Sequence, residues 1–243
     1  MSTQSSTPKR PPLHILRLEQ APIFRQLQIE EALLRLTEKN WCILNEGSCP
    51  AIVFGISGKP AEHLATISSM PLIRRYSGGG TVVVDENTLF VSLILQKQDF
   101  SSSCYPEPIL RWAETIYKEA FAITDFKLRE NDYVIGLRKC GGNAQYIQKH
   151  RFVCHTTFLW DYSKARMRTL LVPQKTPAYR HQRSHEDFLC CLKDYASSKQ
   201  QLFESLPPVL SKYYTVQEAP PVDKLLSIEH RRATKLLTQV RPL

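Results

Sequence analysis

The chain has 243 residues, 42% of them apolar and 23% charged, and a formal net charge of +9. That composition is ordinary for a globular chain and argues against disorder outside the ends, and its excess of positive charge favours an acidic partner: a nucleotide, an acidic protein, nucleic acid or a membrane surface. Seven cysteines without a Cys-x-x-Cys pair exclude a disulfide framework and a cysteine zinc site and imply a reducing compartment, and no stretch nears the roughly 20 apolar residues that span a bilayer.

Residues 1–12 are Ser/Thr/Pro-rich, lack an apolar leader core and are expected to be disordered, with a single domain over 13–243 behind them. Leu13 to Leu18 alternates as a strand, and Pro22 opens a helix. Within Ile23 to Lys39 the apolar Ile23, Leu27, Leu33, Leu34 and Leu36 place Arg25, Glu30, Glu31 and Arg35 mostly on other faces. Trp41 to Leu44 and Ala51 to Phe54 flank Asn45-Glu46-Gly47-Ser48, which predicts a hairpin. Thr81 to Val84 and Leu89 to Leu95 repeat that pattern around Asp85-Glu86-Asn87.

From Pro108, the stripe Ile109, Trp112, Ala113, Ile116 and Ala120 predicts a core-facing helix. Strands Asp132 to Ile135 and Phe152 to Trp160 bracket Lys139 to Gln145, and Pro173 to Ser184 reads as a mobile polar loop. Helical segments over Glu186 to Leu206 and Val222 to Val240 close the chain, which has no internal repeat. Strands and helices do not alternate regularly, so the expected class is α+β, a mixed or antiparallel sheet with flanking helices.

Two segments carry chemistry. Arg74-Arg75-Tyr76-Ser77-Gly78-Gly79-Gly80-Thr81 runs straight into Val82-Val83-Val84. A glycine run there presents bare N–H groups to an anion, with two guanidinium groups beside it; the bland alternative is a tight turn. Further on, Lys139 precedes Gly141-Gly142 and can lean over a phosphate or acyl group, while Asn131-Asp132 offers an amide and a carboxylate able to hold Mg²⁺ against phosphates. His155-Thr156-Thr157 lies on the next strand. Taken singly, each has a structural explanation at least as good: an exposed lysine at a turn, a capping aspartate, a histidine satisfied inside a sheet.

Together, in this order, Arg74 to Gly80, Asn131-Asp132-Tyr133, Lys139 to Gln145 and His155-Thr156-Thr157 resemble the motifs of the lipoate-protein ligase A family, in the biotin/lipoate A/B ligase superfamily. Gln20-Ala21-Pro22 with Glu30-Glu31, and Val53-Phe54-Gly55, look like that family's first helix and second strand, so the resemblance covers about residues 15 to 190. It implies a biotin/lipoate ligase-like catalytic domain that makes lipoyl-AMP from ATP and lipoate and passes the lipoyl group to a lysine of an acceptor domain of the dehydrogenase E2 or glycine-cleavage H-protein type. On it, Arg75, Ser77, Gly78, Gly79, Gly80, Thr81, Asn131, Asp132, Lys139, Gly142, Ala144 and His155 would bind lipoate (or octanoate) and the adenylate, Lys139 and Arg75 being catalytic and Asp132 holding Mg²⁺. The cytoplasm is the default compartment, with the mitochondrion or a plastid as alternatives; neither nucleic acid nor a membrane is expected as a partner.

Three departures qualify the resemblance. Val84 stands where many members have His, which leaves the choice of acyl chain open. The sequence stops near the end of the family's large domain, which points to a separate accessory subunit, to use of preformed lipoyl-AMP or to adenylation with a rearranged loop. An ATP-independent octanoyl or lipoyl transferase would need a cysteine near Thr124 to Glu130, where there is none; Cys140 and Cys154 read as packing residues rather than nucleophiles. The remaining alternative is a non-catalytic subunit that binds acyl or adenylate groups.

Overall fold

The computed structural model describes residues 10–66, 68–172 and 176–238. Its strands, in chain order, are β1 (Pro12–Leu18), β2 (Asn40–Asn45), β3 (Ala51–Phe54), β4 (Leu72–Arg74), β5 (Val82–Val84), β6 (Thr88–Gln96), β7 (Phe126–Arg129), β8 (Asp132–Ile135), β9 (Arg138–Ile147), β10 (Arg151–Leu159), β11 (Thr215–Glu218) and β12 (Lys235–Leu237). They form an eight-stranded sheet in the order β11-β1-β2-β6-β10-β9-β8-β7 and a four-stranded sheet in the order β12-β4-β3-β5. β1 pairs in parallel with both β11 and β2, and β3 with β4, while the remaining pairs are antiparallel, as a mixed α+β sheet requires.

The helices are α1 (Ile23–Leu36), α2 (Pro60–His63), α3 (Pro106–Phe121), α4 (Lys164–Met167), α5 (His185–Phe188), α6 (Lys199–Glu204) and α7 (Leu206–Leu210). The large sheet is buried on both faces, and β6, with every residue buried, shows how period-two alternation divides its side chains. Leu89, Val91, Leu93 and Leu95 join Ile109, Ala113 and Ile116 of α3 and Leu206 and Leu210 of α7 in one core. Phe90 and Ile94 point the other way, to Ile23, Leu27 and Leu34 of α1 and to Val53, Ile73 and Val84 of the small sheet. A cleft opens from this second layer.

Several expectations need correction. Neither predicted hairpin forms: β2 and β3 lie in different sheets, as do β5 and β6. Turn residues signal that the chain reverses, but they do not choose the strand it pairs with. Glu30 and Glu31 are buried, not solvated. Lys139 to Gln145, bracketed by the predicted strands, lies in a strand of its own, β9. The proposed helix over 186–206 is broken into α5, a 3₁₀ turn at Leu192–Asp194 and α6.

Within 222–240, the described residues hold a 3₁₀ turn (Asp223–Ser227) and β12, with 239 and 240 outside the description. β12 pairs with β4, so a sheet edge overrides the weak helical preference. In the proposed mobile loop, 173–175 lie outside the described residues, while Tyr179 and Arg180 are buried. Of the N-terminal segment, 1–9 lie outside the description and Pro12 already belongs to β1. Strands β4, β7 and β11 were not anticipated; each is three or four residues long, too short for a periodic signal.

One buried cation ties the layers together. The carbonyls ending a helix have no partners within it, and Arg151, 5% exposed at the start of β10, reaches under α1 to supply them. Its Nη1 donates to the carbonyls of Leu33 (2.7 Å), Leu34 (3.0 Å) and Thr37, and its Nη2 to that of Lys39. Arg151→Ala strands several carbonyls in a dry interior at once. It is expected to lower the unfolding free energy by about 2–4 kcal/mol, read from urea denaturation.

Candidate active site

A cleft of about 760 Å³ opens between the two sheets, within the range of small-molecule sites. At one end it is walled by Ile23, Leu27, Val53, Val82, Val84 and Phe90. Asn131, Asp132, Lys139, Thr176 and Arg180 line its other end, and Gly78 to Thr81 also border it. Of the residues expected at the site, Arg75, Gly78, Gly79, Gly80, Thr81, Asn131, Asp132, Lys139, Gly142, Ala144 and His155 all line this cleft. Ser77 does not: it is 2% exposed, and its carbonyl accepts from the Ile56 N–H at 2.9 Å.

The glycine loop is held from within. Arg75, 5% exposed, donates from Nε and Nη2 to the Gly78 carbonyl (3.2 and 2.8 Å) and from Nη2 to the Gly80 carbonyl (2.9 Å). Burial pulls this guanidinium down to about 10, against the opposing influence of Glu30 and Tyr76. Gly79 sits at φ +103°, and a Cβ there would lie 2.7 Å from Arg75 Nη2, so the arginine and the loop fit only because the residue is glycine. Arg75 therefore builds the cradle before it meets any ligand.

Lys139 reaches the cleft from β9 across Gly142, where a Cβ would stand only 3.2 Å from the ammonium. A register irregularity between Tyr133 and Val134 lets β8 and β9 bring Lys139 Nζ within 2.8 Å of Asp132 Oδ1. Tyr179 donates its hydroxyl to Asp132 Oδ2 at 2.9 Å, so both carboxylate oxygens are held. Cys140, next to Lys139, is fully buried in the core; burial raises its thiol well above the usual range and pushes Cys154 to about 12. Among the described residues no cysteine lines the cleft.

At the cleft's other side lies a buried polar network. Glu30 on α1 has no exposure, and its Oε1 accepts from Ser92 Oγ (2.6 Å) and Gln26 Nε2 (2.9 Å) and lies 2.8 Å from His155 Nδ1. Asn45 Nδ2 extends the network to Gln26 Oε1 at 2.9 Å. Burial pushes the Glu30 carboxyl up, but His155 and the hydrogen bonds from His155, Ser92 and Gln26 together hold it below its ordinary value. His155 thus borders the cleft with its Nδ1 side tied to a carboxylate.

Among the described residues no group of three or more His, Cys, Asp or Glu side chains is arranged to hold a metal ion. The carboxylates lining the cleft are those of Glu130 and Asp132, and Mg²⁺ commonly takes one or two protein carboxylates and completes its shell with water and substrate phosphates.

A sequence model of the lipoyl protein ligase A/B catalytic domain matches residues 22–210. The chain belongs to this family. A relative in Plasmodium falciparum named inactive lipoate–protein ligase 2 is 29% identical, the match covering 74% of this chain and 63% of the relative. The chain therefore spans less than two thirds of that relative's length. Two solved structures share the fold: a putative lipoate protein ligase from T. acidophilum with bound lipoic acid (TM-score 0.69, 16% identity, 88% of this chain and 91% of that one), and a lipoate-protein ligase A bound with ATP (TM-score 0.68, 17% identity, 90% and 92%). At these identities the likeness establishes the mixed-sheet ligase architecture.

Sequence reasoning overlooked Glu30, Tyr179 and Arg180 as parts of this site. Glu30 had a signal, since it continues the Ile23, Leu27, Leu34 stripe at helical spacing and so had to face inward. Tyr179 and Arg180 had none, because a loop's docking site lies outside its own sequence.

The Glu30 network gives a signed pH dependence. A carboxylate held below its ordinary value of about 4.5 stabilises the fold above that pH and loses the contribution as pH falls through its lower native value. Glu30→Gln is expected to cost about 2–4 kcal/mol at neutral pH, with the gap to the parent protein narrowing on acidification below about pH 4.5. Denaturant titrations across pH measure both.

Proposed function

We propose that this chain is the catalytic domain of a lipoate–protein ligase that holds lipoate, or octanoate, as an acyl adenylate in the cleft and passes the acyl group to a lysine of an acceptor domain. The observation that carries this reading is the polarity of one continuous cleft. An apolar end walled by valines, Leu27 and Phe90 suits a methylene chain, with about 0.8 kcal/mol gained per buried CH₂. The opposite end gathers Lys139, Arg180, Asn131 and Asp132 where a carboxyl–phosphate junction would lie.

In the first half-reaction the lipoate carboxylate attacks the α-phosphorus of ATP, forming the C–O–P anhydride and releasing pyrophosphate. In the second, the acceptor's lysine amine attacks the acyl carbon, the amide bond forms and AMP leaves with the electron pair of the broken C–O bond. Negative charge grows on the phosphoryl oxygens in one step and on the carbonyl oxygen in the other. Lys139, leaning over Gly142, would serve both as a fixed cation, and the N–H groups of Gly78 to Thr81 would line the same anion. Asp132 would bring Mg²⁺ to the phosphates, which supplies charge neutralisation there. Nucleotide binding would draw Lys139 from Asp132 to the phosphate.

Acceptors of the dehydrogenase E2 or glycine-cleavage H-protein type fit the net positive charge if their docking face is acidic. The free cysteines support a reducing compartment, with the cytoplasm as our assignment. The lack of a cleft thiol among the described residues favours adenylate chemistry over a thioester-forming transferase. A second reading, a binding subunit without catalysis, is favoured by the inactive name of the Plasmodium relative.

The test separates the halves. The chain is incubated with an acceptor lipoyl domain and either ATP, Mg²⁺ and lipoate or synthetic lipoyl-AMP, and lipoylation is followed by intact-protein mass spectrometry. Transfer from lipoyl-AMP is expected, and Lys139→Ala should reduce its rate about 100-fold or more. A chain that binds lipoyl-AMP but modifies no acceptor would be the binding subunit instead, and full transfer by the variant would remove Lys139 from its role.

A further inference from the structure

The segment after residue 175 has no sequence motif, yet it brings a second cation to the polar end of the cleft. Ala178–Arg180 forms a 3₁₀ turn, followed by left-handed His181 (φ 48°) and Gln182 (φ 58°). The turn is cross-braced: Arg180 Nε donates to the Arg183 carbonyl and Arg183 Nε to the Arg180 carbonyl, each at 3.0 Å, while Arg183 Nη2 donates to the Tyr179 carbonyl at 2.8 Å. Tyr179 docks the turn on Asp132, and the Arg180 guanidinium lies 4.9 Å over the Phe188 ring. All of this fixes where Arg180 sits.

What Arg180 lacks is an acceptor for Nη2. The residue is 4% exposed and borders the cleft with Lys139 and Asp132, yet its Nη2 finds no hydrogen-bond partner among the described residues. A buried guanidinium nitrogen without an acceptor carries a desolvation cost that a bound anion would remove. Asp132 does not fill that place, since its oxygens are taken by Lys139 and Tyr179. Burial and the neighbouring Arg183 disfavour the charged form of Arg180, and Tyr179 and Asp132 offset them only in part.

We propose that Arg180 is a binding residue for the phosphoryl group of the acyl adenylate, its unpaired Nη2 edge donating to a non-bridging oxygen on the side of the anion away from Lys139. This inference rests on the adenylate reading of the cleft. The bond to the Arg183 carbonyl and the Phe188 ring hold the guanidinium at the cleft before a ligand arrives. Lys139 then acts as a point charge and Arg180 as the planar fork that fixes the anion's orientation.

The experiment is calorimetric titration of the parent chain, Arg180→Gln and Arg180→Lys with lipoyl-AMP and, separately, with lipoate, which lacks the phosphate. Arg180→Gln should weaken lipoyl-AMP binding about tenfold or more and leave lipoate within about twofold, with Arg180→Lys in between. Unchanged lipoyl-AMP affinity in Arg180→Gln would overturn the inference and leave the adenylate reading standing. Equal loss of both ligands in both variants would overturn it too, by showing that Arg180 props the fold. A parent chain that binds lipoate but not lipoyl-AMP would instead sink the adenylate reading, and the inference with it.

Discussion

A carboxylate with no access to water must find every partner inside the protein, and Glu30 is such a group. Its partners come from separate elements: Gln26 one turn away on α1, Ser92 on β6 and His155 on β10. Because β6 and β10 are neighbours at the centre of the large sheet, the network locks the first helix to that sheet in one rotational setting. The same setting aims Ile23 and Leu27 into the cleft, and Arg151 secures the far end of the helix from the same strand as His155. The binding surface and the buried charge are two consequences of one packing decision.

The cleft's ends differ for a related reason. Its apolar wall is where α1, β3, β5 and β6 meet, and such a junction is filled by branched and aromatic side chains. Its polar end lies over β8 and β9 near the edge of the large sheet, where a register irregularity and the bare backbone of Gly142 leave room for the long Lys139 side chain. Charges there are paired in advance: Lys139 with Asp132, Asp132 with Tyr179, and Arg75 with the loop carbonyls. Pre-pairing keeps the groups in place and means that an incoming anion exchanges partners rather than recruiting loose side chains.

Much of the site was legible because its motifs are local. The glycine loop, Asn131-Asp132, and Lys139 with Gly142 each declare a backbone or charge requirement within a few residues. Where the reading failed, the deciding partner was distant in sequence. Asn45 to Ser48 announces a turn, but β2 pairs with β1 and β6 and β3 with β4 and β5, so the turn joins two sheets instead of closing a hairpin. Glu31 reads as a solvated charge until Arg35 and the backbone N–H groups of Ala233 and Thr234, about two hundred residues on, are seen to surround it.

The sequence by itself determined the class of fold, the long helices α1 and α3, the inward stripes of the main strands and the family motifs, since each depends on residue spacing within one element. Only the tertiary structure decided which strands share a sheet, that Ser77 stands outside the cleft while its neighbours line it, and that Tyr179 and Arg180 complete the polar end. These outcomes depend on which surfaces are left to be covered after the two sheets have packed. A pairing or a docked loop is chosen by the burial and hydrogen bonds it gains from remote residues, and no local stretch of sequence contains that information.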